Sequence, residues 1–235
     1  MSRQIAVVYE GLPDFNIAVE LADRVIVESI AWMTEDDVLF QRTWRSESSA
    51  GFRLSWAGID HLAREAGVSV SGLYDEEPGE PDAHAASRAI LYLRQEFPDL
   101  DAIVLIRDQD DQPLRRQGLN QARKKHGDGL PVAIGLAVPM REAWVLCGYD
   151  PDETELTRFD EARAHLKFDP RTRSHDVRDP KAVLKALTAG DLDRERRCWV
   201  GASLPTLRDR GAENGLAAYL DDVRDRLVGL FGRAA

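Results

Sequence analysis

Cysteine is nearly missing from this 235-residue chain, with Cys147 and Cys198 its only two. Two distant thiols cannot staple a small secreted scaffold, and without a C-x-x-C pair they lack zinc-ligand spacing, so both read as buried small hydrophobes. Long apolar runs are also missing. None approaches the roughly 20 residues that cross a bilayer, and Met1-Ser2-Arg3 leads into a strand-like run with no signal-peptide core, so the expectation is a cytoplasmic protein with no membrane partner. No G-x-x-x-x-G-K-[ST] loop occurs, so the sequence holds no P-loop phosphate cradle of that kind. Composition is otherwise ordinary, with 43% hydrophobic and 31% charged residues, which argues against a large disordered fraction. The net charge of −10 excludes a general nucleic-acid coat. It does not exclude an enzyme acting on nucleic acid, because metal-holding carboxylates are themselves a source of negative charge.

What the chain does contain is acid at the ends of apolar runs. Ala102-Ile103-Val104-Leu105-Ile106 has no polar alternation and reads as a strand buried on both faces of a parallel α/β sheet; it ends in Arg107 and then Asp108-Gln109-Asp110-Asp111. Ligands of such sheets bind just outside the carboxyl ends of the strands. A second run, Gln4 to Tyr9, ends in Glu10-Gly11-Leu12-Pro13-Asp14, where Gly11 permits a tight turn, Pro13 suits a first helical turn and Asp14 can cap a helix or face a metal. A third, Pro131 to Val138, ends in Pro139-Met140-Arg141-Glu142-Ala143-Trp144, which opens a helix and brings Glu142 to the same edge.

Between these runs the periodicity predicts helices over Phe15–Ser29, Ile59–Ala66, Ala83–Phe97 and Pro113–His126, and a weak strand over Val68–Tyr74. Ile30 to Trp56 carries Trp32, Phe40, Trp44, Phe52 and Trp56 without a clean period and reads as an insertion or an extended helix tail whose aromatics pack on the core. The acids of the loop Asp75–Asp82 read as solvated. The βαβαβαβ alternation predicts an α/β domain over 1–150, a parallel sheet with helices on both faces, followed by a mostly helical extension over 151–235, with helices near Pro180–Leu187 and Leu216–Phe231. Arg115, Arg116, Arg123, Lys124 and Lys125 follow the acidic loop with no acid among them, and read equally as a phosphate-binding patch or a solvated helix face.

Glu10, Asp14, Asp108, Asp110 and Glu142 thus come from three strand ends. Five carboxylates in one cleft repel unless divalent cations hold them together, and Mg²⁺ or Mn²⁺ suits an all-oxygen set. Two such ions can activate water and stabilise both entering and leaving oxygens of a phosphodiester.

At Glu10 and at Asp108-Gln109-Asp110 the sequence resembles the Toprim family, with its Glu after the first strand and D-x-D after a later one. The form Glu10-Gly11 to Asp14 looks like the branch of overcoming-lysogenization-defect nucleases, and the Glu142-Ala143-Trp144 element and Pro180-Lys181 pair look like small stand-alone Toprim proteins. The resemblance spans most of 5–144. It implies a Toprim, Rossmann-like fold and metal-dependent DNA nicking or cleavage with two Mg²⁺ or Mn²⁺ ions. As partners it implies DNA and a separate ABC-type or AAA ATPase chain in phage defence, and a homo-oligomer is compatible with it. It further implies that Glu10 and Asp14 hold one metal, with Glu10 also placed for proton transfer, and that Asp108 and Asp110 hold the other. Asp111 and Glu142 would support either ion and Lys181 would stabilise phosphate charge. Two alternatives stay open: a non-catalytic Toprim-like subunit, and another metal-dependent phosphoryl hydrolase, although a D-x-D phosphatase would place its motif near the first strand.

Overall fold

The computed structural model describes residues 2–232. Its centre is a four-stranded, wholly parallel sheet. The first strand, β1 (Arg3–Val8), leads into α1 (Leu12–Ser29), whose Pro13 occupies the first turn and whose Ile17, Leu21, Val25 and Ile26 form a buried stripe at helical spacing. A short α2 (Glu35–Gln41) is capped by the Thr34 hydroxyl, which accepts from the Asp37 backbone N–H, and hands over to β2 (Arg42–Arg45). Next come α3 (Trp56–Glu65), a two-residue hairpin of β3 (Leu73–Tyr74) and β4 (Glu77–Pro78), and α4 (Ala83–Glu96). The chain then runs through β5 (Ala102–Asp108), α5 (Arg115–His126), β6 (Val132–Ala137) and α6 (Arg141–Cys147).

The strand order is β2-β1-β5-β6. From β1 the chain winds outward to β2, then crosses back over β1 to lay down β5 and β6 on the other side. Right-handed crossovers therefore place α1 on one face and α3, α4 and α5 on the other, and α4 does pack against both α3 and α5. The reversal makes the gap between β1 and β5 a topological switch point, where the loops leaving adjacent strands diverge and open a crevice.

After α6 the chain is helical: α7 (Leu156–Leu166), α8 (Pro180–Thr188), α9 (Leu192–Gly201), α10 (Leu204–Arg210) and α11 (Leu216–Arg226). The last of these returns to the sheet and packs against β6 and α1. Trp144 of α6 stacks on Tyr219 of α11 at 5.3 Å between ring centres, and the Tyr219 hydroxyl donates to the Ala18 carbonyl at 2.9 Å. The joint leaves no space for a side chain at position 215, where Gly215 has φ +85° and a Cβ would stand 2.1 Å from the Leu136 carbonyl oxygen.

Three elements differ from the sequence expectation. The second parallel strand is Arg42–Arg45, inside the aromatic segment read as an insertion, whereas 68–74 contributes only the Leu73–Tyr74 piece of the small hairpin. Of the aromatics, Trp56 is buried, but Trp32, Phe40 and Phe52 are exposed rather than packed on the core. The acid Asp82 is not solvated either: its side chain is only 15% exposed and paired with two arginines. Both thiols are buried and unbridged, and burial pushes each up to about 11.

Candidate acidic site at the switch point

Two short buried strands determine where the first two acids lie. In β1, Val7 and Val8 pair with Val104 and Leu105 of β5, so the strands end side by side, with Glu10 two residues past Val8 and Asp108 at the end of β5. The Asp108 backbone N–H points at Glu10 Oε1 at 3.4 Å. One turn into α1, Asp14 is buried and accepts the Gly11 N–H through Oδ2 at 2.8 Å. The third strand end adds a clamp: the Arg141 N–H, at the start of α6, donates to Asp108 Oδ1 at 2.8 Å.

Each of Glu10, Asp14 and Asp108 therefore commits one oxygen to a backbone N–H, which fixes its direction and leaves the second oxygen as a donor atom. Burial raises the carboxyl of Asp108 most, with Asp14 and Glu10 adding repulsion, and pushes it up to about 8. Glu10 and Asp14 are also raised, each chiefly by burial; Arg107 pulls Glu10 back, and the Gly11 N–H and Arg141 pull Asp14 back. Glu142 completes the set from the first turn of α6, with its side chain 12% exposed and its charge felt by both Asp14 and Asp108.

Three arginines share this negative charge. Arg107 lies over the Trp56 ring at 5.1 Å, with Nε 2.9 Å from Asp82 Oδ2 and 3.5 Å from Glu10 Oε1. Arg115 reaches Asp82 with Nε at 2.6 Å and donates from Nη1 to Asp110 Oδ2 at 2.9 Å and to the Asp108 carbonyl. The Arg141 guanidinium lies among Asp14, Glu142 and Glu195. Asp82 is held where it can orient Arg107 and Arg115 because α5 crosses close beneath it: at Gly118 a Cβ would stand 1.9 Å from the Pro81 carbonyl oxygen.

Of the residues singled out in the sequence, the fold brings Glu10, Asp14, Asp108 and Glu142 together. Asp110 is at their margin, in a left-handed turn (φ +48°) that Asp tolerates, with a 53% exposed side chain and its N–H tied to the Pro139 carbonyl at 3.0 Å. Asp111 is exposed, and so is Lys181 in the first turn of α8; neither forms an ion pair or side-chain hydrogen bond among the described residues. The basic run of α5 finds partners within the chain: Arg115 as above, Arg123 on Asp222 at 2.5 Å and, at the exposed surface, Lys124 on Asp75 at 2.6 Å and Lys125 on the Leu73 carbonyl at 2.6 Å. Sequence reasoning missed Asp82, Arg107, Arg141 and Glu195. Arg107 and Arg141 sit beside acids that were recognised, but Asp82 and Glu195 carry no local signal.

All the acids offer hard oxygen donors of the kind that suit Mg²⁺ or Mn²⁺, and the carboxyls of Glu10, Asp14 and Asp108 are raised chiefly by burial. Among the described residues no three Asp, Glu, His or Cys side chains are already gathered at ion-holding distance. Among the described residues, no helix is long and apolar enough to cross a membrane. No family model, curated protein or solved structure matches the chain.

Proposed function

We propose that this chain is a divalent-metal-dependent phosphodiester hydrolase of Toprim type, a cytoplasmic DNA nuclease or nuclease subunit working with a separate ATPase chain. One observation carries the reading: Glu10, Asp14 and Asp108 converge at the switch point of a parallel sheet, where burial first, and then the charges of Asp14 and Glu10, push the Asp108 carboxyl up to about 8.

Glu10, Asp14 and Asp108 would hold the ions, with Asp110 and Glu142 beside them. Bound Mg²⁺ or Mn²⁺ supplies polarisation of a phosphoryl oxygen and activation of water. The chain's own groups do the rest. Asp108 gives up its proton as the positive charge arrives. Glu10, its carboxyl raised above the usual range by burial, is a better proton acceptor than an exposed glutamate. Arg107, held by Asp82, carries a guanidinium whose planar donor fork suits phosphate.

A second reading has its own support. Every acid of the site except Asp108 has an arginine within 4 Å, as a non-catalytic interaction subunit would also arrange them. The test is supercoiled plasmid in Mg²⁺ or Mn²⁺, with wild type, Glu10→Gln and Asp108→Asn in parallel. Metal-dependent nicking by wild type alone is the expected result, and equal nicking by all three removes the site. No nicking by wild type, even with chains that co-purify, favours the interaction subunit.

A further inference from the structure

Arg141 is placed unlike the structural arginines of this protein. Arg194 shows what a buried structural pair looks like here: its Nε and Nη2 grip both oxygens of Glu155 at 2.7 and 2.8 Å. Arg141 is as buried, at 11% side-chain exposure, but grips nothing with two donors. Its Nη2 reaches Glu142 Oε1 at 3.0 Å and stops 3.8 Å short of Glu195 Oε2, while Nε stays 3.9 Å from Asp14 Oδ1. All three acid side chains are 12 to 14% exposed. One guanidinium is thus spread over three buried carboxylates, within hydrogen-bond reach of only one, although its planar fork is made for bidentate contact.

We propose that the Arg141 side chain is the site's internal counter-cation, which stands among Asp14, Glu142 and Glu195 in the metal-free protein and competes with a divalent ion for their oxygens. This rests on the metal-dependent reading above. It adds Glu195, delivered by α9 from the C-terminal half to within 3.8 Å of the guanidinium, as a residue that tunes ion affinity. The guanidinium can withdraw without disturbing Asp108, because Asp108 is held by the Arg141 backbone N–H and not by its side chain. Arg141 is here a positioning residue, setting how tightly the acids hold an ion.

The test is Mn²⁺ binding at pH 7.5, followed by electron paramagnetic resonance of free Mn²⁺ and by calorimetry, on wild type, Arg141→Met, Arg141→Lys and Glu195→Gln. Arg141→Met keeps bulk and removes the charge, and should bind Mn²⁺ about tenfold more tightly, since an uncompensated buried acid set attracts a cation more strongly. Arg141→Lys, which keeps a cation in place, should stay near wild type, and Glu195→Gln should bind about fivefold more weakly because one negative charge is gone. Wild-type binding with no tightening in Arg141→Met overturns the proposal and leaves the metal reading standing. No Mn²⁺ binding by folded wild type and folded Arg141→Met overturns both. Should Arg141→Met fail to fold, unchanged affinity in Glu195→Gln overturns the proposal by itself.

Discussion

Replacing Asp108 by Asn should stabilise the metal-free protein, and the gain should grow with pH. In the unfolded chain an Asp carboxyl loses its proton near pH 4, whereas the folded site holds it up to about 8. Between those values the folded state binds the extra proton, so stability falls as pH rises, and the loss is complete above about 8. Near pH 7 the gap is about three units, or about 4 kcal/mol at roughly 1.4 kcal/mol per unit, an upper bound because the site can relax and admit water. An Asn side chain keeps an oxygen for the Arg141 N–H and has no charge to bury. At about 2 to 4 °C per kcal/mol for a chain of this size, Asp108→Asn should melt up to roughly 8 to 16 °C above wild type near pH 7 in EDTA, and the two should converge toward pH 4. Saturating Mn²⁺ should narrow or reverse the order, since an ion at a hundredfold its Kd adds about 2.7 kcal/mol to the form that binds it. The assay is thermal and urea denaturation by circular dichroism at pH 5, 6.5 and 7.5. A variant less stable than wild type at pH 7.5, or a difference that does not change between pH 5 and 7.5, refutes the account of Asp108.

The same proton should appear in calorimetry: at pH 7, Mn²⁺ binding measured in buffers of different ionisation enthalpy should release about one proton, falling toward none above about pH 9. Nicking, if present, should rise with pH up to about 8 and then level. Arg194→Ala should cost about 3 to 5 kcal/mol in urea denaturation, because it strands Glu155, itself 5% exposed, without its bidentate partner. Gly118→Ala should cost about 1 to 3 kcal/mol, since the new methyl meets the Pro81 carbonyl; it should also weaken metal binding through Asp82, and a variant as stable as wild type would show that the approach is not tight.

The elements legible in the sequence were those whose residues answer to their own neighbours. Ile5–Val8, Ala102–Ile106 and Val132–Ala137 are continuous apolar runs because they are covered on both faces, and each is a sheet strand. β2 was hidden because it lies at the edge, where Arg42-Thr43-Trp44-Arg45 has neither a run nor an alternation. Its two arginines are accommodated by tertiary partners, Asp23 for Arg42 and Asp99 for Arg45, and no local pattern announces such pairs.

The site divides along the same line. A carboxylate at a strand end is a local fact, so Glu10, Asp108 and Glu142 could be read from the runs that precede them. The charge that lets them coexist is not local. Asp82 comes from a loop that looks merely exposed, and it matters because Gly118 lets the segment Pro81 to Ala83 press against α5 and aim Arg107 and Arg115 at the crevice. Glu195 comes from α9, more than fifty residues after Arg141, and reaches the site because α9 packs on both α6 and α1. The helical second half therefore does more than cover the sheet. It contributes one of the carboxylates that Arg141 must balance, so the charge balance of the crevice depends on both halves of the chain being in place.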